Sequence, residues 1–305
     1  MSSSHGGSIK VIVTALVANL GIALAKLVGA IISGSASLLA ESIHSLVDST
    51  NQVFLLIGNK KSQKPADAKH PLGYGREAFF WSFMVAILLF SMGGLFAIYE
   101  GFHKLHDNSE VNSPLLGFVI LLVSVILEGY SFWACLQEVK NQNQFGTLWN
   151  WFKNTKNSEL VVIFTEDAAA LLGLLIALIS LSLAWITGQS FWDSLGSILV
   201  GVVLIVVSIL LSIEVKSFII GESSTQEIQL FIEKEVKQYF PDGRVLKLIA
   251  LQTGSDEVML SYKLHPGNTI KSLDDAIDKV NALEKKTKET FKSIRWQFVE
   301  LDKED

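Results

Sequence analysis

The chain has 305 residues, half of them apolar and 18% charged, with a formal net charge of −5; soluble domains carry about 25% charged residues. Residues 1–215 hold 11 Lys/Arg and 14 Asp/Glu, whereas the 90 residues 216–305 hold 14 and 16, so a sparsely charged membrane part precedes a densely charged soluble one. This excludes a secreted enzyme, a nucleic-acid binder, because no basic run exists, and a disulfide scaffold, because Cys135 is the single cysteine.

Crossing the hydrocarbon layer as a helix takes about 17–25 apolar residues. Six segments reach that length: Lys10–Ile32, Ser37–Leu56, Ala78–Phe102, Pro114–Leu136, Leu160–Trp185 and Phe191–Ser212. Alternating strands of the outer-membrane-barrel kind do not occur. The first segment has no cleavage-type small-residue pattern ahead of a soluble domain and reads as a retained helix. Basic residues mark cytoplasmic loops. Lys60, Lys61, Lys64, Lys69 and Arg76 follow the second segment and Lys140, Lys153 and Lys156 the fourth, while the opposite loops hold only Lys104. Both termini are therefore expected in the cytoplasm, and an N-terminus without an Arg-rich transit peptide points to a bacterial inner membrane. Small residues four apart, Gly21, Ala25 and Gly29, Ala169 and Gly173, Ser197 and Gly201, predict close helix packing.

In the tail, Ser224 and Glu227 have capping-box spacing, and Ile228, Ile232, Val236 and Phe240 follow at helical period. Strands are expected over Val245–Thr253 and Val258–Leu264 around a Gly254-Ser255 turn, and His265-Pro266-Gly267 ends the second. Ser272 and Asp275 open a helix reaching about Phe291, and Ile294–Leu301 is a last strand. The predicted fold is six transmembrane helices (1–215) followed by a cytoplasmic α+β domain (216–305) of α-β-β-α-β, ferredoxin-like order.

Ionisable side chains at membrane depth cost at least about 2–3 kcal/mol each, so they mark candidate functional sites. The second segment places Glu41, His44 and Asp48 on one helical face, and the fifth carries Glu166-Asp167. An imidazole and several carboxylates from neighbouring helices suit a divalent cation such as Zn2+ or Mn2+. His44 and Asp48 are the first ligand candidates. Asp167 ranks ahead of Glu166, which points about 100° away from it on a helix. Glu41, near the end of its helix, is explained by solvent or a cap. Asn19 and Asn51 read as packing residues with a place near the ion path as the alternative, and Lys26 as snorkelling or paired with Glu100 or Glu128. Asp193 reads as the N-cap of the sixth helix.

These residues make the sequence resemble the cation diffusion facilitator family of metal exporters over about residues 10–301. The resemblance rests on Ser33–Asp48, on the loop Asp67–Arg76 with its His-Pro-x-Gly-x-Gly-Arg pattern, on Glu166-Asp167 and on the tail. It implies a metal site near mid-membrane, with His44 and Asp48 from the second helix and a pair from the fifth. The position four before Asp167 is Ile163, a departure that resembles the subgroup with Glu-Asp in the fifth helix, whose eukaryotic members include mitochondrial zinc transporters. The resemblance further implies a weak second metal site at Asp67 and His70, with Tyr74 where another histidine is expected. It also implies a charge contact between Arg76 and Glu222 that couples the two parts, and a homodimer formed by the tail. In the tail, His265 reads as a turn residue.

The expected activity is secondary transport, not enzymatic catalysis: a divalent metal is exchanged for protons by alternating access, with metal as substrate and no permanent cofactor. Zn2+ leads, with Mn2+, Fe2+ and Co2+ open because the oxygen-rich set is hard. No phosphate-binding Gly-x-x-x-x-Gly-Lys-Ser/Thr loop is present, so ATP is not implied. A non-transporting membrane scaffold or heterodimer partner, and a channel, are the alternatives.

Overall fold

A computed structural model describes residues 5–107, 112–142, 146–155, 158–224, 226–255, 257–268, 270 and 272–304, without the side chains of 5–15, 17, 18, 107, 142, 153, 154, 158 and 159. Lys156 and the Lys153 side chain, counted above as basic loop residues, lie outside this set. The chain divides into two compact units, Met1–Gly58 with Trp81–Val215, and Asn59–Phe80 with Lys216–Asp305.

In chain order the helices of the first part are α1 (His5–Ser33), α2 (Ala36–Ser62), α3 (Glu77–Leu88), a π-helical stretch (Leu89–Leu95), α4 (Phe96–Asp107), α5 (Pro114–Gln142), a short α6 (Leu148–Asn154), α7 (Ser158–Thr187) and α8 (Phe191–Ile220). Among the described residues, four stretches are long and apolar enough to cross a membrane: Glu77–His106, Pro114–Asn141, Leu160–Thr187 and Phe191–Ile220. α2 has the length, 27 residues, but its serines and its Glu41, His44, Asp48 and Asn51 dilute its apolar character. α1 supplies a shorter apolar helix, Asn19–Ser33.

Among the described residues, the first unit buries apolar side chains in two clusters that both draw on α2 and α7. One joins Leu38 to Ala30, Leu121, Leu174, Ala177 and Leu181, and the other joins Ala40 to Leu89, Ala97, Ala169, Val200 and Leu204. Ile126, Ile179, Ile186 and Ile213 stay exposed, an arrangement that lipid tolerates and water does not. The small-residue runs behave unequally. Ser197 Oγ donates to the Ala97 carbonyl at 2.7 Å, and a Cβ on Gly201 would lie 2.7 Å from the Gly94 carbonyl. Gly21 and Ala25 instead face outward, with nothing within 4 Å of a Cβ built on Gly21.

The turn between α1 and α2 is held from a distance. Asp193, in the first turn of α8, does not serve as that helix's own cap. Its carboxylate accepts from Ser35 Oγ at 2.6 Å, Ala36 N at 2.5 Å and Ser37 Oγ at 2.5 Å, and it is 1% exposed. These are donors at the N-terminus of α2, where orphan N–H groups and the helix dipole favour an anion. Lys104 donates to the Gly34 carbonyl at the same turn.

The second unit carries α9 (Gln226–Tyr239), β1 (Arg244–Gly254), β2 (Glu257–His265), α10 (Leu273–Thr290) and β3 (Ile294–Leu301). The sheet order is β1-β2-β3, with β1 antiparallel and β3 parallel to β2. Strict alternation on β2 buries Val258, Leu260, Tyr262 and Leu264 against Ile228, Ile232, Val236 and Phe240 of the α9 segment and Leu283 of α10. Ser272 Oγ caps α10 by accepting from Asp275 N at 3.2 Å, and His265 Nδ1 accepts from Gly267 N at 3.0 Å in the turn that ends β2.

Residues 59–80, which the charge count assigns to the membrane part, group with this domain. Gly73 holds φ at +81°, a conformation that only glycine adopts cheaply. A Cβ on Gly75 would lie 2.5 Å from the Thr253 carbonyl and 3.1 Å from Gly254 Cα. The indole of Trp296 donates to the Leu72 carbonyl at 3.3 Å, and Phe79 stacks on Phe218 at 5.2 Å. Gly75, the second glycine of the loop motif, is thus where the loop docks on the β1–β2 turn, while Gly73 serves the loop's own turn.

Candidate metal centre

α2 presents Glu41, His44, Asp48 and Asn51 along one face because they recur at three- and four-residue steps. Glu41, His44 and Asn51 are fully buried, and the Asp48 side chain is 20% exposed. His44 Nδ1 lies 3.6 Å from Asp48 Oδ1. Two ligands about 2.1 Å from one ion at the tetrahedral angle lie roughly 3.4 Å apart, so this pair is spaced to share an ion. Among the described residues neither ring nitrogen of His44 nor Asp48 Oδ1 has a hydrogen-bond partner. Buried polar atoms left bare are unfavourable, and a cation between them removes that cost.

α7 brings its two acids to different neighbours. Glu166, 7% exposed, accepts from Asn51 Nδ2 at 2.5 Å, so Glu166 is tied to α2 and closes the distance between the two acid-bearing helices. Asp167 turns toward α5, where Ser131 Oγ donates to it at 3.3 Å. The sequence ranks Asp167 first, but the 100° step along α7 gives the direct link to Glu166. Asp48 nonetheless lies within electrostatic range of both acids and of Glu128 on α5, which also acts on Glu41 and Asp167. The sequence reading treats Glu128 only as a partner for Lys26. Its signal was there, an acid amid an apolar span.

Two expectations at the α1 side are corrected. Glu41 is not solvated and not a cap, being 0% exposed. Lys26 neither snorkels nor pairs with Glu100 or Glu128: it is 1% exposed, donates to Ser45 Oγ at 2.7 Å and lies 3.6 Å from Glu41 Oε2. Among the described residues no three His, Cys, Asp or Glu side chains stand together as a finished metal cage; Glu166 bound to Asn51 and Asp167 bound to Ser131 are turned to other partners.

In the loop, Asp67 and His70 are adjacent, with Nδ1 and Oδ1 3.6 Å apart, and both are exposed. Asp67 Oδ1 accepts from Lys69 N and His70 N at 2.9 and 2.7 Å, and Oδ2 accepts from Tyr74 Oη at 2.7 Å. Both oxygens thus serve the loop's own turn. The Tyr74 hydroxyl, followed by the His70 and Lys69 amides, holds the Asp67 carboxyl below its ordinary range, and the same bond pushes the Tyr74 phenol up. Arg76 and Glu222 both belong to the second unit, and a Cβ on Gly221 would lie 3.7 Å from the Arg76 guanidinium.

An imidazole and several carboxylates enclosed between apolar helices define a membrane protein with a buried ionisable face. Residues 12–220 match the model of the cation efflux transmembrane domain, and the chain belongs to that family, the cation diffusion facilitators. It is 33% identical over 204 residues to the mouse (Mus musculus) proton-coupled zinc antiporter SLC30A9, mitochondrial, covering 66% of this chain and 36% of that protein. It is 34% identical over 193 residues to metal tolerance protein C4 of Arabidopsis thaliana, covering 63% of this chain and 42% of that protein. With the magnetosome protein MamB of Magnetospira sp. it shares 28% identity over 199 residues, 64% of this chain and 62% of that one. The first two matches thus span well under half of those relatives' own lengths.

Proposed function

We propose that this protein is a secondary transporter that exports a divalent transition-metal cation, Zn2+ first, in exchange for protons. His44, Asp48 and Glu166 supply ligands, with Asp167 as the fourth. The observation that carries the reading is the fully buried His44, whose two nitrogens have no hydrogen-bond partner among the described residues, with Nδ1 3.6 Å from an Asp48 oxygen that also has none there. Metal entry draws Glu166 from Asn51 and Asp167 from Ser131, completing the ligand set. Ligation requires neutral imidazole and ionised carboxylates, so protonation from the opposite side expels the ion. The names of the relatives, a proton-coupled zinc antiporter and a metal tolerance protein, support both cargo and coupling.

In this account all six apolar segments span the membrane, including α1 and the polar α2, whose ionisable face turns inward to the bundle. Both termini lie in the cytoplasm of a bacterium, the protein sits in the inner membrane, and the tail joins two copies as a homodimer. Arg76 and Glu222 couple the tail domain to transport. A loop metal site at Asp67 and His70 contributes little, since both Asp67 oxygens already accept hydrogen bonds.

A second reading, a membrane scaffold without transport, draws on Ile163, which stands where a ligand four residues before Asp167 would be. Calorimetric titration of Zn2+ into the purified protein separates the two. The transporter reading expects binding that His44→Ala abolishes; absence of binding by the unaltered chain favours the scaffold.

A further inference from the structure

The transport account leaves Lys26 and Glu41 without a role. Both are buried to within 1% of completely, on two different helices of the first unit. Glu41 lies one turn from His44 on the same face of α2. Its Oε1 reaches Gly173 of α7 so closely that a Cβ there would collide with it. Among the described residues no donor lies within hydrogen-bond distance of either Glu41 oxygen, the Lys26 ammonium being just beyond it. The Lys26 ammonium stands 3.6 Å from Oε2 and spends its hydrogen bond on the neutral Ser45 hydroxyl at 2.7 Å.

An ammonium that neutralises a carboxylate from 3.6 Å engages its lone pairs only weakly and leaves that carboxylate open to a better cation. A purely structural ion pair buried this deeply requires good geometry and further hydrogen bonds to offset desolvation, and Glu41 has neither. The four-carbon stem of lysine lets its charge swing aside without backbone movement. Building on the transport reading, we propose that Glu41 forms a second cation subsite one turn from His44, and that Lys26 is the tethered cation occupying it when no cargo is bound. The metal ion and Lys26 exclude each other there by charge. The glycine at 173 provides the room in which Glu41 reaches α7. Lys26 is a positioning residue in this scheme: it returns the site to a neutral state after release, without itself touching the ion.

The test is Zn2+ binding to the full-length chain in detergent, by calorimetry, with a parallel thermal melt with and without Zn2+. Lys26→Met should bind Zn2+ more tightly than the unaltered protein by about tenfold or more, because a fixed positive charge a few ångströms away has gone. Zn2+ should also raise its melting temperature more. Glu41→Gln should weaken binding by about tenfold, in line with losing one ligand contact. A merely structural pair predicts the opposite for Lys26→Met, lost stability with no gain in affinity, and that result overturns the proposal. If Lys26→Met does not fold, Glu41→Gln decides: unchanged affinity refutes the subsite, weakened affinity supports it. Binding that His44→Ala abolishes while both Lys26→Met and Glu41→Gln match the unaltered chain refutes this inference alone. An unaltered chain that binds no divalent ion refutes the transport reading and the inference together.

Discussion

Replacing Asp193 by alanine should loosen the start of α2, the helix that carries Glu41, His44 and Asp48. The carboxylate accepts three short hydrogen bonds, from Ser35 Oγ, Ala36 N and Ser37 Oγ at 2.5–2.6 Å, and a longer one from Ser37 N at 3.4 Å. Charge-assisted bonds of this kind contribute roughly 1.5–3 kcal/mol each, and removing a buried acceptor leaves its donors unsatisfied. The loss is less than the sum. Ser35 and Ser37 hydroxyls lie 3.2 Å apart and re-pair, and Ser35 Oγ still caps α2 by accepting from Leu38 N at 3.1 Å. Two backbone N–H groups, of Ala36 and more weakly of Ser37, lose their acceptor, and the helix loses an anion at its positive end, so Asp193→Ala should cost about 3–4 kcal/mol. Asp193→Asn keeps one acceptor oxygen without the charge and should cost roughly half as much. Equilibrium unfolding in mixed micelles with increasing SDS measures both. A loss below about 1 kcal/mol for the alanine variant, or equal losses for the two, would refute the assignment of this carboxylate as the anchor of α2.

Two further outcomes follow from the second unit. Gly75→Val should strip the loop from the β1–β2 turn, because its Cβ would meet the Thr253 carbonyl at 2.5 Å; a loss of about 1–3 kcal/mol is expected from forced displacement. The indole NMR signal of Trp296, which reports on the Leu72 carbonyl, should shift in that variant, and an unchanged signal contradicts the docking. For Asp67, the folded state holds the carboxyl below its ordinary range through Tyr74 and the His70 and Lys69 amides. Its contribution to loop stability is therefore present above the unfolded value of about 3.9 and is lost as pH falls through the depressed folded value. Asp67→Asn should flatten the acid dependence of the Trp296 signal, and a titration identical to that of the unaltered chain rules the linkage out.

Much of the second unit was readable because its signals are periodic and local. The alternation on β2, the four-residue step from Ile228 to Phe240 and the Ser272 cap each lie within one element, and each is found where the pattern puts it. The motif glycines were visible in the loop, but their reason was not, since Gly75 meets a turn about 180 residues further along. The same holds for Asp193. Its sequence neighbours suggest capping of α8, while its actual donors stand more than 150 residues earlier in the chain. The short helix α6, closed by Thr147 accepting from Asn150 N at 3.2 Å, escapes a search tuned to spans of about 17 residues or more. The π-helical stretch has no periodic signature at all; it occurs where Gly94 and Gly201 bring two helix backbones together.

At the candidate centre, residue types and spacing brought His44 and Asp48 forward, because imidazole and acid four apart on an apolar helix have few other uses. What spacing could not settle was rotation and depth. Glu166 and Asp167 are neighbours in sequence, yet one bonds α2 and the other α5. Glu41 looked terminal on its helix and proved fully buried, because α7 packs a glycine against it.

The central claim is that buried ligands on α2 and α7 move a divalent metal against protons. Its direct test is uptake of Zn2+, Mn2+, Fe2+, Co2+ and Cd2+ into proteoliposomes, with and without a pH gradient, for the unaltered protein and Asp48→Ala. The account predicts saturable, gradient-dependent Zn2+ flux that Asp48→Ala abolishes while the protein stays folded. Flux in Asp48→Ala equal to that of the unaltered protein, or no metal flux under any gradient, contradicts it.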